Sequence, residues 1–272
     1  IIVNSTPWGR GFFWQIQNDP KIMPHWKRFM ADWREPVKAG LITQEFIDAQ
    51  REQLTSDVFA REYECKFTED AGRWLSQDLI TSCVDSTILE PWKFDDSFND
   101  LEFYVGLDLG KKVDYSVIAV LEKVGETLIL RHVYVFPLNT EYGGIIGYLK
   151  VISERWRVTV RACVDVTREE HVLEDLKKVV TSCKVDGVIF GVKNKYDMAS
   201  HLRQKMLKKQ FKMYYEPEVI ANLNIENFEL TETGETIFSH PQGTHDDIFW
   251  AIVLAAAGTM PREEPTRLVR AF

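Results

Sequence analysis

The sequence predicts an α/β fold, a mixed sheet flanked by helices and preceded by a mostly helical segment. Three observations predict it. Apolar residues between 20 and 95 recur at helical spacing. Three β-rich runs then follow one another between 101 and 136. Beyond them helix-like and strand-like stretches alternate to the end of the chain.

The elements follow in order. Ile1, Ile2 and Val3 read as a short strand, and residues 7–9 as a turn before an aromatic segment. Trp26, Phe29 and Trp33 fall at helical spacing, as do Phe46, Ile47 and Leu54. Thr43 stands where a helix cap belongs, and residues 59–63 continue the helical pattern. Pro91 and Asp95-Asp96-Ser97 mark a linker. The runs 101–109, 116–123 and 127–136 are broken by Gly110-Lys111-Lys112 and by Gly125-Glu126, which predicts an antiparallel meander. A helix over 142–156, an apolar central strand over 158–166 and a helix over 171–183 come next. Then come a strand over 187–192, a basic helix over 198–210, a hairpin over 222–240 turning at Gly234, and a closing helix over 246–258. That order is the pattern of an RNase H-like fold.

The 272 residues suffice for one large unit with an appendage or for two units. Hydrophobic residues at 45% and charged residues at 27% exclude a disordered or low-complexity chain. The net charge of −8 argues against a passive nucleic-acid binder. It leaves room for an enzyme that holds cations on carboxylates, because bound ions invert the local sign. Cys65, Cys83, Cys163 and Cys183 form no CxxC pair, so they read as reduced thiols of a cytosolic protein. The longest apolar run, 248–258, is too short for a bilayer, so no membrane is expected as a partner. The start lacks a signal peptide and an initiator Met and opens like a core strand, so the chain is expected to be a piece of something longer.

Carboxylates carry the chemistry. Asp108 sits between two leucines in an apolar strand. Asp165 ends another apolar strand, and Asp246-Asp247 open the last helix after His245. A carboxylate in a buried strand is costly unless paired or coordinated. Two such strand acids plus a double Asp at a helix start predict convergence on two divalent ions, Mg²⁺ or Mn²⁺, with Asp108 bridging both, Asp165 holding one and Asp247 the other. Two ions so held can hydrolyse a phosphodiester. Asp246 and His245 are auxiliary in this reading, and Asp114 is a further candidate. Taken singly, Asp246 or Asp247 is an ordinary helix cap, Asp165 can cap the following helix, Asp114 can be a solvated loop acid, and His245 can be structural. The basic run 193–212 offers a phosphate-contacting surface through Lys193, Lys195, Arg203 and Lys205, with a solvated helix face as the plainer alternative.

These residues carry a resemblance. The chain resembles the large terminase subunit of tailed bacteriophages. Ser5-Thr6-Pro7-Trp8-Gly9 is similar to that family's ATPase coupling motif. Phe59-Ala60-Arg61-Glu62-Tyr63 with Phe67 and Gly72 is similar to the end of its ATPase unit, and Asp108, Asp165 and His245-Asp246-Asp247 to its nuclease acids. The resemblance implies a remainder of the ATPase domain with a linker over 1–95 and an RNase H-like, RuvC-like nuclease domain over 101–272. It implies cleavage of double-stranded DNA in the host cytoplasm, with the viral portal and the small terminase subunit as partners. Trp250 departs from the pattern, because the family and related resolvases often place a further Asp three residues after the second Asp of the pair, and this leaves the choice between Asp246 and Asp247 open. No P-loop is present, Gly106 to Lys112 being one residue short of one, so ATP hydrolysis is not expected from this chain.

Three other readings compete. A kinase or actin-like ATP-binding protein shares the core but needs two copies of it, which the chain cannot hold. A non-catalytic docking module would use the acids as caps. A Holliday-junction resolvase or transposase-like nuclease would share the site but leave residues 1–95 unexplained.

Overall fold

The computed structural model describes residues 16–17, 23–54, 56–67, 72–94, 96–98, 101–110, 114–156, 159–231, 235–241 and 243–261. The strand expected at 1–3, the turn at 7–9, the coupling-like motif, Lys111, Lys112, Asp95 and Gly234 lie outside them.

Chain order runs through a 3₁₀ turn at Met23–His25, then α1 (Arg34–Lys38), α2 (Gln44–Gln53), α3 (Ser56–Glu64) and α4 (Gln77–Ser82). β1 (Glu102–Asp108), β2 (Val117–Val124) and β3 (Thr127–Val135) follow, with α5 (Tyr142–Arg155), β4 (Thr159–Asp165) and α6 (Glu170–Val179) after them. The last elements are β5 (Lys184–Val188), α7 (Val192–Leu207), β6 (Phe211–Lys212), α8 (Pro217–Leu223), β7 (Asn227–Leu230), β8 (Thr236–Ser239) and α9 (Asp247–Ala257).

Six strands form one sheet in the order β5-β4-β1-β2-β3-β6, and β7 and β8 form a separate hairpin. The meander β1-β2-β3 is antiparallel, while β4, β5 and β6 pair in parallel with their neighbours. The mixed α/β sheet matches the expectation. Side chains alternate across it. Phe103, Val105, Leu107, Ala162 and Val164 face α5 and α6. Val117, Ala119, Leu121 and Cys163 face α7 and α9. Every residue of α9 is buried. It lies so close to β1 that a Cβ at Gly106 would stand 1.9 Å from the Ala251 carbonyl oxygen. Glycine is therefore what lets α9 reach the sheet and sets its first residue beside the end of β1.

The N-terminal helices are shorter than the helical pattern suggests. Trp26 and Phe29 lie outside any helix, and Phe29 is 81% exposed. Thr43 caps α2, accepting from the Phe46 N–H at 3.2 Å, and Ser76 does the same for α4 from Leu79. Trp74, Leu75, Leu79, Ile80 and Cys83 belong to the core around α9. Further along, the Trp92 N–H donates to the Arg131 carbonyl at 2.7 Å, and Trp92 stacks on Phe98 at 3.8 Å.

Three element boundaries move. β5 ends at Val188 and α7 starts at Val192, six residues ahead of the expected start. The cause is Asn194. Its side chain accepts from the Gly191 N–H at 2.7 Å and donates to the Ile189 carbonyl at 2.6 Å, which stops the strand and starts the helix. α6 ends at Val179, four residues short of the expected end. α8 was not expected; Pro217 fits its first turn because that position needs no N–H donor. The two-residue β6 is too short to give a period.

Candidate active site

Asp108 is the last residue of β1, and Asp165 is the last residue of the parallel neighbour β4, with Leu107 and Val164 in register just before them. The strands thus end side by side and deliver two carboxylates to one edge. α9, pressed on β1, brings Asp246 and Asp247 to the same edge. Above it opens a cleft of about 670 Å³, lined by Asp108, Asp114, Asp165, Asp246, Asp247 and Glu226 among others.

The carboxylates are held by separate contacts. Asp165 Oδ1 accepts from the Thr167 N–H at 2.9 Å and from the Thr167 hydroxyl, and that hydroxyl oxygen accepts from the Phe190 N–H at 2.8 Å. Asp246 Oδ2 accepts from the Trp250 indole Nε1 at 2.8 Å, and His240 Nε2 lies 3.7 Å from its other oxygen. Asp247 Oδ2 accepts from the Tyr115 N–H at 3.2 Å, with His245 Nδ1 at 3.8 Å. Lys195 reaches the cleft over the Trp250 ring at 4.2 Å and the Phe190 ring at 4.9 Å.

Asp108 is only 9% exposed. Burial pushes its carboxyl well above the usual carboxylate range, and the charges of Asp165, Asp247 and Asp246 push it further, against Lys195. Asp247 is pushed up to about 6, first by burial, with Asp246 and Asp114 adding and the Tyr115 N–H and His245 opposing. Asp108 therefore feels the other three acids across the cleft, and Asp247 feels Asp246 and Asp114. Among the described residues, no group of three or more His, Cys, Asp or Glu side chains is placed closely enough to hold a metal ion as it stands. The donors are nonetheless those a hard divalent cation takes: oxygens only, with one carboxylate buried among three like charges.

The other expected residues scatter. Asp114 faces the cleft and pairs with Arg168 at 3.5 Å. Lys193 is exposed in the first turn of α7. The Arg203 guanidinium lies 5.1 Å from the Trp74 ring, with its Nε buried. The Lys205 Nζ donates to the Glu126 carbonyl and carboxylate at 2.9 and 3.0 Å. Of the basic run, Lys195 alone is among the residues lining the cleft.

Sequence reasoning missed Glu226. It is 1% exposed, lines the cleft, and is pushed up to about 9 by burial and by Asp246. Its Oε2 has no hydrogen-bond partner among the described residues. The sequence offers only a lone acid just before a hairpin strand. Arg168, on the turn after Asp165, was likewise passed over.

No protein-family model and no curated protein matches the chain. Solved structures do. The large terminase nuclease from thermophilic phage G20c aligns with a TM-score of 0.56 at 19% identity, over 66% of this chain and 95% of that one. The fold is that of a large-terminase nuclease. The large terminase nuclease domain of Thermus phage P74-26 aligns at TM-score 0.53 and 19% identity, over 66% of this chain and 92% of that one. The large terminase of bacteriophage HK97 aligns at TM-score 0.53 and 12% identity, over 84% of this chain and 55% of that one. The G20c terminase nuclease has also been crystallised with bound magnesium and with bound cobalt. Among the described residues, no helix is long and apolar enough to cross a membrane.

Proposed function

We propose that this chain is a metal-dependent endonuclease that cuts double-stranded DNA during viral genome packaging. The observation that carries this is the burial of Asp108 beside Asp165, Asp246 and Asp247 at one sheet edge. Such a concentration of like charge is unfavourable for folding alone and suits the capture of divalent cations.

Asp108, Asp165 and Asp247 would hold two Mg²⁺ or Mn²⁺ ions, with Asp246 and His245 auxiliary. Bound there, such ions lower the pKa of water and offset charge on the departing oxygen of a phosphodiester. The chain's own groups prepare the site. The Thr167 hydroxyl and N–H orient the Asp165 carboxylate. The Tyr115 N–H orients Asp247, and the Trp250 indole fixes Asp246. The Lys195 ammonium, kept in place by two aromatic rings, offers its charge to a DNA phosphate.

On this reading residues 1–95 are the end of an ATPase unit and 101–272 the nuclease unit. The alignment with the HK97 terminase over 84% of the chain supports the continuation beyond the nuclease. The partners would be duplex DNA, a portal and a small terminase subunit in the host cytoplasm, and ATP hydrolysis would belong to other parts of the machine.

Calorimetric titration of the purified chain with Mn²⁺ tests the site directly. Saturable binding that Asp108→Asn abolishes is expected. Absence of binding, or binding that survives Asp108→Asn, would overturn the assignment.

A further inference from the structure

We propose that Arg168 is the residue that positions the DNA backbone over the carboxylates, and that Asp114 occupies its guanidinium until a phosphate takes over. The proposal rests on the nuclease reading above and deepens it.

The cleft wall is acidic. Among the described residues that line it, the basic side chains are Arg168, Lys195 and His240. Lys195 is held at the inner wall by Trp250 and Phe190. His240 faces Asp246. Arg168 is different: its side chain is 84% exposed.

Its mounting is firm. The turn that carries it is closed by the Thr167 N–H on Asp165 Oδ1, by the Phe190 N–H on Thr167, and by the Glu169 N–H on the Val166 carbonyl at 3.2 Å. From there Nη1 reaches across to Asp114 Oδ2 at 3.5 Å. Asp114 immediately precedes Tyr115, whose N–H holds Asp247. One end of the ion pair is thus anchored beside Asp165 and the other beside Asp247. A guanidinium in that place lines the same cleft as the carboxylate set.

An exposed pair of this kind contributes little stability, so breaking it costs little. A phosphate offers the guanidinium two oxygens in a geometry a lone, long ion pair does not match. Exchange of Asp114 for phosphate seats the backbone at the site. Until then Asp114 keeps the mouth from attracting polyanions, in line with the net charge of −8.

The test is binding of a fluorescein-labelled DNA duplex to the whole chain in EDTA, read by anisotropy across a salt series. It needs no cleavage, so it stands apart from the metal titration that judges the nuclease reading. Both side chains are exposed, and thermal melts confirm that the variants fold. Arg168→Ala is expected to weaken binding about tenfold and to lower the salt slope by about one. Arg168→Lys should keep the slope and lose part of the affinity. Asp114→Asn should tighten binding, and the gain should vanish in the Arg168→Ala background. An unchanged affinity and slope in Arg168→Ala, or an Asp114→Asn gain that persists without the arginine, would overturn the proposal.

Discussion

The indole Nε1 of Trp250 donates to Asp246 Oδ2 at 2.8 Å, one helical turn away. Related resolvases often carry an acid at the Trp250 position, by the resemblance described above. Here a buried donor takes that place and occupies a carboxylate oxygen instead of adding one. Asp247 Oδ2 meets a backbone N–H at 3.2 Å and an imidazole nitrogen at 3.8 Å, and this difference is why the proposed site takes Asp247 as the ligand.

Trp250→Phe removes this donor and the best face for Lys195 while keeping a ring in the core. A hydrogen bond to a charged group contributes about 1.5–3 kcal/mol. Urea unfolding should show a loss in that range, and cleavage should fall because Asp246 and Lys195 both lose their support. Unaltered stability and rate would mean that the indole contact does nothing for the site.

Metal-free stability should fall as pH rises. Asp108 and Asp247 have folded pKa values above their unfolded ones. Such acids bind more protons when folded, so their penalty is absent below the unfolded pKa of about 4 and grows as pH climbs through the folded value. For Asp247 the window runs from about 4 to about 6. Melting temperatures in EDTA should drop across it, Asp108→Asn should melt higher than the wild type at pH 7, and Mn²⁺ should restore the wild type alone. A wild-type melt that rises steadily with pH would contradict the electrostatic picture.

Glu226 extends the same trend to alkaline pH. Its folded pKa of about 9 leaves the carboxyl protonated at pH 7, and stability is lost as pH rises toward that value. Glu226→Gln mimics the protonated form. It should fold normally and flatten the melting profile between pH 7 and 9, read by circular dichroism. A profile as steep as the wild type's would show that Glu226 is not the group responsible.

Gly106→Ala tests the packing that places α9. The new Cβ would meet backbone atoms of Ala251 and Ala255 at 1.9 and 2.4 Å, and backbone cannot move aside as a flexible side chain can. A cost of about 3 kcal/mol or more is expected, with loss of Mn²⁺ binding because α9 carries Asp247. A variant as stable as the wild type would refute the close approach.

Much of this was readable from residue order. The meander, the apolar β4 and the closing α9 announce themselves because their side chains have regular periods and clear turn residues between them. Asp108 and Asp165 stand out because each is an acid in an apolar strand, and strand ends in register bring them together. What stayed hidden depends on contacts between residues far apart. Glu226 has no local signature: it is buried where its backbone carbonyl accepts from the Trp74 N–H, a partner 152 residues away. Arg203 and Lys205 look like members of one basic stripe, yet helix geometry turns one toward Trp74 and the other toward Glu126. The start of α7 was misplaced because Asn194 reads as a neutral residue until its two backbone bonds are seen.

The most direct measurement is nicking and cleavage of a supercoiled plasmid by the purified chain, with Mn²⁺, with Mg²⁺ and with EDTA, beside Asp108→Ala. Cutting that requires the ions and disappears in the variant is the predicted result. Cutting that persists in EDTA, or in a folded Asp108→Ala protein at the wild-type rate, would contradict the account.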